Sequence, residues 1–198
     1  MLVFPSLQHP VVVKVGGSLF DMPDLGGRLR AWLDELSTPF VILVPGGGAT
    51  VDQVRFWDQR YGLGEEKAHW LALRGLTFNA HLLASLLPMS RVIQHLDECP
   101  SLFVSGLTPI LDAYPWAAGD HRQAGCLPHS WDVTSDSLAA RLAIQAEASH
   151  LVLLKSVNFP RGMDWTSASR EGLVDPYFGR VLGQGLTPLD VRWINFRG

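Results

Sequence analysis

The octapeptide Val11-Val12-Val13-Lys14-Val15-Gly16-Gly17-Ser18 constrains this chain more than any other stretch. Its dense β-branched run reads as a buried strand, yet it carries an ammonium group that costs several kcal/mol to bury unpaired. Lys14 therefore calls for an anionic partner. Gly16 and Gly17 follow at once and remove side chains where the strand ends. Backbone N–H groups can then approach a phosphate that the lysine neutralises. A lysine reaching solvent ahead of an ordinary glycine turn is the alternative that the octapeptide alone leaves open.

The same pattern recurs downstream. Leu25, Leu29, Trp32, Leu33 and Leu36 fall at spacings of three and four, predicting a helix over Asp24 to Leu36. A second apolar strand, Phe40 to Val44, ends in Pro45-Gly46-Gly47-Gly48, and a further helix begins near Ala49. In a parallel sheet, two such glycine loops lie at the carboxyl edges of their strands, where open α/β sheets bind ligands. A long helical pattern over Gly64 to Leu87 follows, stopped by Pro88. Short strands are expected near Arg91 to Ile93 and Leu102 to Val104. Ser105 to His129 reads as a loop-rich segment with short strands and a candidate substrate lid. Thr134 to Glu147 reads as a helix with Asp132 or Thr134 as its cap, Leu151 to Lys155 as another strand, Gly162 to Gln184 as irregular, and Val191 to Asn195 as a closing strand. The expected fold is a three-layer α/β/α sandwich around a mainly parallel sheet, in a single domain over residues 1–198, with Gly16 and Gly47 at the same sheet edge.

Composition narrows the function classes. A chain of 198 residues, 47% hydrophobic and 18% charged, suits a globular domain with a large core. A net charge of −3 without a basic stripe removes the usual footprint of nucleic-acid binding. Cys99 and Cys126 have no metal-ligand spacing and fit reduced thiols of a cytoplasmic protein. Met1 to Pro10 lacks a basic head and reads as neither signal peptide nor anchor, and no apolar run approaches the roughly 20 residues needed to span a bilayer. The lysines are more telling. The chain has only Lys14, Lys67 and Lys155, and two of these three close apolar strands, which argues for a shared site with anionic contents over two unrelated strand ends.

Taken in order, Val12-Val13-Lys14-Val15-Gly16-Gly17-Ser18-Leu19, Val44-Pro45-Gly46-Gly47-Gly48 and Thr134-Ser135-Asp136-Ser137 resemble the successive signatures of the amino-acid kinase superfamily, which includes acetylglutamate, aspartate, carbamate and uridylate kinases. Within it, the resemblance is closest to the branch that phosphorylates (5-(aminomethyl)furan-3-yl)methyl phosphate in methanofuran biosynthesis. Ala49 to Arg55, Ala68-His69-Trp70-Leu71-Ala72-Leu73, Leu127 to Ser137 and Leu153-Leu154-Lys155-Ser156-Val157 carry that finer likeness. The resemblance implies an ATP-dependent kinase using Mg2+, a small anionic acceptor and a homo-oligomer. A uridylate-kinase-like enzyme, or a non-catalytic ATP- or oxyanion-binding storage protein of the same fold, are the alternatives. The chain departs from the pattern at Asn158-Phe159-Pro160, where many relatives have Asp-Gly. It is short for the superfamily, and no lysine follows Lys155.

Phosphoryl transfer relies on positioning and electrostatics, because the charge of its loose transition state spreads over the equatorial oxygens. Lys14 with the loop Gly16, Gly17 and Ser18 is expected to hold the transferring phosphate, with Lys155 and Ser156 on the nucleotide side. Gly46, Gly47 and Gly48 would offer amides to the acceptor's anionic group. Asp136, at a helix start, suits a carboxylate that holds lysines in place or contacts a magnesium ion, although helix capping explains an aspartate there equally well. His69, Arg55 with its i,i+3 neighbour Asp52, Asp132 and Thr134 are acceptor-side candidates. Trp70 and Trp131 read as core residues, with an aromatic wall beside the acceptor as the other reading. An acceptor already ionised near pH 7 needs no general base. The Walker pattern and the Gly-x-Gly-x-x-Gly fingerprint are both absent.

Overall fold

The computed structural model describes residues 9–198, so the reading of the first ten residues lies largely outside them. Strand β1 (Val11–Val15) leads through a 3-10 turn at Gly17–Leu19 into helix α1 (Leu25–Asp34), and β2 (Val41–Pro45) leads into α2 (Gly48–Tyr61). Helix α3 (Glu65–Leu86) then runs to β3 (Ser90–Ile93), and α4 (Cys99–Val104) to β4 (Thr108–Leu111). After α5 (Ala113–Asp120) come α6 (Ser135–Gln145) and β5 (His150–Lys155). Two short helices, α7 (Trp165–Arg170) and α8 (Phe178–Leu182), precede β6 (Asp190–Asn195).

The six strands form one sheet in the order β3-β4-β2-β1-β5-β6, every pairing parallel. Helices cover both faces, which is why β1 and β2 are buried along their whole length and read as unbroken apolar runs. Alternation divides the core in two. Val12, Ile42, Val44, Leu151 and Leu153 pack on one face with Leu138 and Leu142 of α6, while Val11, Val13, Val15, Leu43 and Leu154 pack on the other with Leu25 and Leu29 of α1. Helix α3 serves both, giving Leu73 and Leu76 to the first cluster and Ala80 and Leu83 to the second. Lys14 therefore points to the α6 side, like Val12 two residues earlier.

Register sets the site. Val15 lies beside Pro45 and Leu154, so the loops after β1 and β2 and the end of β5 meet at one sheet edge, as expected. The glycine loops touch backbone to backbone: a Cβ on Gly17 would clash with the amide nitrogen of Gly48, and one on Gly46 with that of Gly17. The three-layer expectation holds.

Two segments differ from their expected form. Leu102 to Val104 is the end of α4, not a strand. Pro100 opens that helix, Glu98 accepts from the backbone N–H groups of Gln94 and His95 just before it, and Val104 is 89% exposed, so a three-residue apolar run carried no periodic information. The strand lies later, as β4, within the loop-rich stretch expected to hold short strands, and the unexpected α5 follows it. Pro109 hid β4, since proline within a run argues against a strand. The irregular tail likewise contains α7 and α8, both too short for periodicity to register.

Substituting Gly17 by Ala should cost about 1–3 kcal/mol in urea unfolding, from backbone overlap with the second loop. Gly119, inside α5 with open space where its Cβ would be, should gain up to about 1 kcal/mol as alanine. Equal midpoints for the two variants would contradict the backbone packing of the loops.

Candidate active site

Asp136 sits in the first turn of α6, and its carboxylate is buried between two ammonium groups. Lys14 Nζ is 2.9 Å from Oδ1, and Lys155 Nζ donates to Oδ2 at 2.8 Å. Burial pushes the Asp136 pKa up, but the charges of Lys14 and Lys155 outweigh it and hold the group below its ordinary value. Lys155 is lowered to about 8 by burial and by Lys14, with Asp136 opposing. One carboxylate between two lysines leaves the trio one positive charge at pH 7.

The two lysines are not equivalent. Lys155 also donates to the Leu173 carbonyl at 2.7 Å and lies 5.1 Å from the Trp193 ring centroid, so its donors are largely engaged. Lys14 Nζ turns one N–H to Oδ1 at 2.9 Å and makes no other hydrogen bond among the described residues, so it keeps donor capacity beside the cavity that it lines.

That cavity, about 340 Å³, runs from Lys14, Gly17, Ser18, Gly47 and Gly48 to Arg55, His69, Thr134 and a histidine-rich end. Gly16 and Gly46 do not line it. Their N–H groups are bound in the sheet, by the carbonyls of Leu154 and Val15, each at 2.8 Å. The N–H groups of Gly47 and Gly48 open α2 and so lack an intrahelical acceptor. Lys155 and Ser156 also lie off the cavity, and Ser18 Oγ donates to Ser156 Oγ at 2.9 Å, tying the first loop to the end of β5.

The acceptor-side candidates divide. Arg55 lines the cavity, its guanidinium 2.7 Å from Asp52 and 5.0 Å from the Trp131 ring centroid, whereas Asp52 itself faces solvent. His69 is buried in the wall. Its Nδ1 lies 3.2 Å from the Ser130 carbonyl and must be the donor, which leaves Nε2 as an acceptor. Burial and neighbouring His129 lower its pKa to about 4. Thr134 lines the cavity and stands at the N-cap of α6 without bonding the helix through its hydroxyl, and exposed Asp132 does not reach the cavity. Trp70 and Trp131 both pack against the core, and Trp131 also lines the cavity, its indole N–H donating to Asp58 at 2.8 Å.

Several contributors escaped the sequence reading. Asp175 accepts from Thr134 N at 3.0 Å, Thr134 Oγ1 at 2.9 Å and Ser137 N at 2.9 Å, as well as from Ser137 Oγ, and so fixes the turn that carries Asp136. Burial and the charge of Asp136 raise its pKa. Only the Asp175-Pro176 pair, a turn signal, marked it. Asn79 donates to the carbonyls of Gly46 and Gly47 at 2.7 and 2.8 Å, holding the second loop; an asparagine amid the apolar face of α3 was its signal. Asp120, His121 and His129 also line the cavity.

The site does not fit a protein-held metal at Asp136. Both its oxygens face ammonium groups, and among the described residues no cluster of three His, Cys, Asp or Glu could hold an ion.

Residues 9–158 match the model of the amino acid kinase family. The chain belongs to that family. This amino acid kinase family member is a phosphotransferase, and solved structures share its fold. Uridylate kinase from Archaeoglobus fulgidus is 16% identical, with a TM-score of 0.64 over 93% of this chain and 90% of that one. UMP kinase from Bacillus anthracis is 15% identical, with a TM-score of 0.68 over 96% and 88%. UMP kinase from Ureaplasma parvum is 12% identical, with a TM-score of 0.62 over 96% and 90%. No curated protein matches the chain.

The lowered His69 value has a thermodynamic consequence. The unfolded chain takes up a proton near the ordinary 6.5 while the folded form resists until about 4, so stability is lost as pH falls between those values. The loss attributable to His69 should be on the order of 3 kcal/mol. It should shrink markedly in His69→Gln when urea midpoints are followed from pH 7 to 4; parallel pH profiles for the two proteins would contradict the assignment.

Proposed function

We propose that this chain, acting as one domain, transfers the γ-phosphoryl group of ATP to a small acidic acceptor, most consistent with the phosphate of (5-(aminomethyl)furan-3-yl)methyl phosphate, giving the diphosphate. The observation that carries this reading is the buried trio of Lys14, Asp136 and Lys155, with Lys14 lining the same cavity as Gly17, Gly47 and Gly48 of the two glycine loops. A cation with unspent donors, held by a buried carboxylate, matches the charge that develops on equatorial phosphoryl oxygens. Asp136 and Lys155 act through Lys14 by fixing its place, and the Gly47 and Gly48 N–H groups suit the acceptor's anion. A phosphate acceptor arrives ionised, so His69 is not required as a base. The partly apolar cavity of about 340 Å³ suits a single small ring with polar arms.

Assembly enters the same proposal. Leu71, Phe78, Leu82 and Leu86 are exposed along one side of α3 at spacings of seven and four, with Met89 just beyond. Such a stripe is self-complementary about a two-fold axis, and we take its occupant to be a second copy. Light scattering at micromolar concentration should give at least twice the 21.8 kDa chain mass, and Phe78→Glu should reduce it to the monomer. A monomeric wild type would remove the homo-oligomer.

Transfer is tested by ADP release and product detection with ATP, Mg2+ and candidate acceptors, including uridylate. A storage protein would bind nucleotide yet form no phosphorylated product. Lys14→Ala should lower kcat by at least about 10²-fold, equivalent to roughly 2.7 kcal/mol, with a smaller change in nucleotide affinity. Asp136→Asn should behave likewise, since it keeps shape and capping capacity while deleting the charge. Wild-type turnover in either folded variant removes that residue from the reaction.

A further inference from the structure

The end of the cavity remote from Lys14 contains a carboxylate that the transfer chemistry does not use. Asp120 closes α5, is only 4% exposed and lines the cavity. Arg141 of α6 grips it through Nε at 3.2 Å and Nη2 at 2.9 Å to Oδ1, and Gln145 donates to the same oxygen. Oδ2 receives only one long bond, from Arg141 Nε at 3.3 Å. A carboxylate offers about four lone-pair sites, so the bonding is lopsided: Oδ1 is filled and Oδ2 keeps acceptor capacity. Arg141 is itself anchored by the Ala124 carbonyl at 2.9 Å, so the carboxylate is both oriented and electrically balanced.

The cavity thus has N–H donors where it meets the glycine loops and a hydrogen-bond acceptor where it meets the end of α5. His121 and His129, their rings 4.7 Å apart, and His69, 5.4 Å from His129, line the space with flat faces.

We infer that Asp120 reads the acceptor: its Oδ2 accepts a hydrogen bond from an N–H or O–H donor at the end of the acceptor opposite the anion that is phosphorylated. The acceptor is then a small bifunctional molecule, and Asp120 a specificity-determining residue. This rests on the kinase reading above for which end is phosphorylated. A phosphate monoester with no distal donor would desolvate Oδ2 and leave it with only the long bond from Arg141 Nε, and an under-satisfied buried acceptor is the usual basis of such discrimination.

The test titrates the full chain by calorimetry with three compounds: (5-(aminomethyl)furan-3-yl)methyl phosphate, its 5-hydroxymethyl counterpart and its 5-methyl counterpart. The methyl compound should bind at least about 10-fold more weakly than the better of the other two, and the order of those two identifies the donor as amine or hydroxyl. The double variant Asp120→Leu/Arg141→Met removes the pair without stranding a buried charge and should bring all three within about twofold. Wild-type affinities within twofold of one another, no binding of any of the three, or discrimination retained by the folded double variant would each overturn the inference. The wild-type series decides alone if that variant does not fold. ADP release is followed separately: donor-dependent binding without ADP would defeat the kinase reading and leave the Asp120 subsite standing.

Discussion

Two ammonium groups sharing one buried carboxylate is the interaction on which the rest of this structure depends. None of the three groups would be tolerated alone at its position, since desolvating an unpaired ion costs several kcal/mol. Together they hold a net positive charge at the sheet edge. The parallel sheet makes this possible by placing β1 and β5 side by side in register, so that Lys14 and Lys155 approach α6 from neighbouring strands. Removing Asp136 would leave two like charges without their shared carboxylate: the two ammonium groups hold the Asp136 pKa down, and Asp136 is the main group that opposes the lowering of Lys155 by burial and by Lys14.

The surrounding polar residues have the character of a scaffold for that charge. Asp175 binds both sides of the first turn of α6, and Asn79 binds two successive carbonyls of the second glycine loop. Each satisfies backbone or hydroxyl groups that would otherwise be buried without partners, and each freezes an element whose neighbour faces the cavity. The glycines complete the arrangement by allowing loop backbones to touch, which brings the amide-bearing turns within reach of one small anion.

How far the sequence disclosed this follows from what each signal requires. Lys14 and Lys155 were legible because a charge at the end of an apolar strand contradicts its surroundings. Asp136 was legible through its place in an ordered series of motifs. Asp175 and Asn79 were not, because their role lies in hydrogen bonds to residues 29 to 41 positions away, and nothing local distinguishes such an aspartate from a turn former. The same limit explains the strands: β1, β2 and β5 announced themselves by unbroken apolar runs, whereas β4 contains Pro109 and pairs mainly at the edge with β3. Trp131 is both things the sequence left open, packed on the core and lining the cavity, and the Asp58 bond that holds its indole N–H joins residues far apart in the chain.

The cavity's two ends are built on different elements, and in the proposed reaction this separates chemistry from choice of acceptor. Lys14, the glycine loops and Asp136 belong to strand ends and to the starts of α2 and α6, where the sheet fixes positions through many backbone bonds. Arg55, His69 and Asp120, on α2, α3 and α5, and His121 just after α5, meet the cavity through their side chains. A change of side chain at the second end alters shape and hydrogen bonding without disturbing register, while a change at the first disturbs the charge trio and its scaffold together. His69 shows the constraint that operates even at the adaptable end. Its neutrality follows from burial and the nearness of His129, so a cationic replacement at that position would add a buried charge beside His129, whereas the one buried carboxylate at that end, Asp120, is already balanced by Arg141. Recognition at that end in the proposed reaction therefore rests on oriented hydrogen-bond acceptors and ring faces, while the ammonium of Lys14 serves the phosphoryl group at the other.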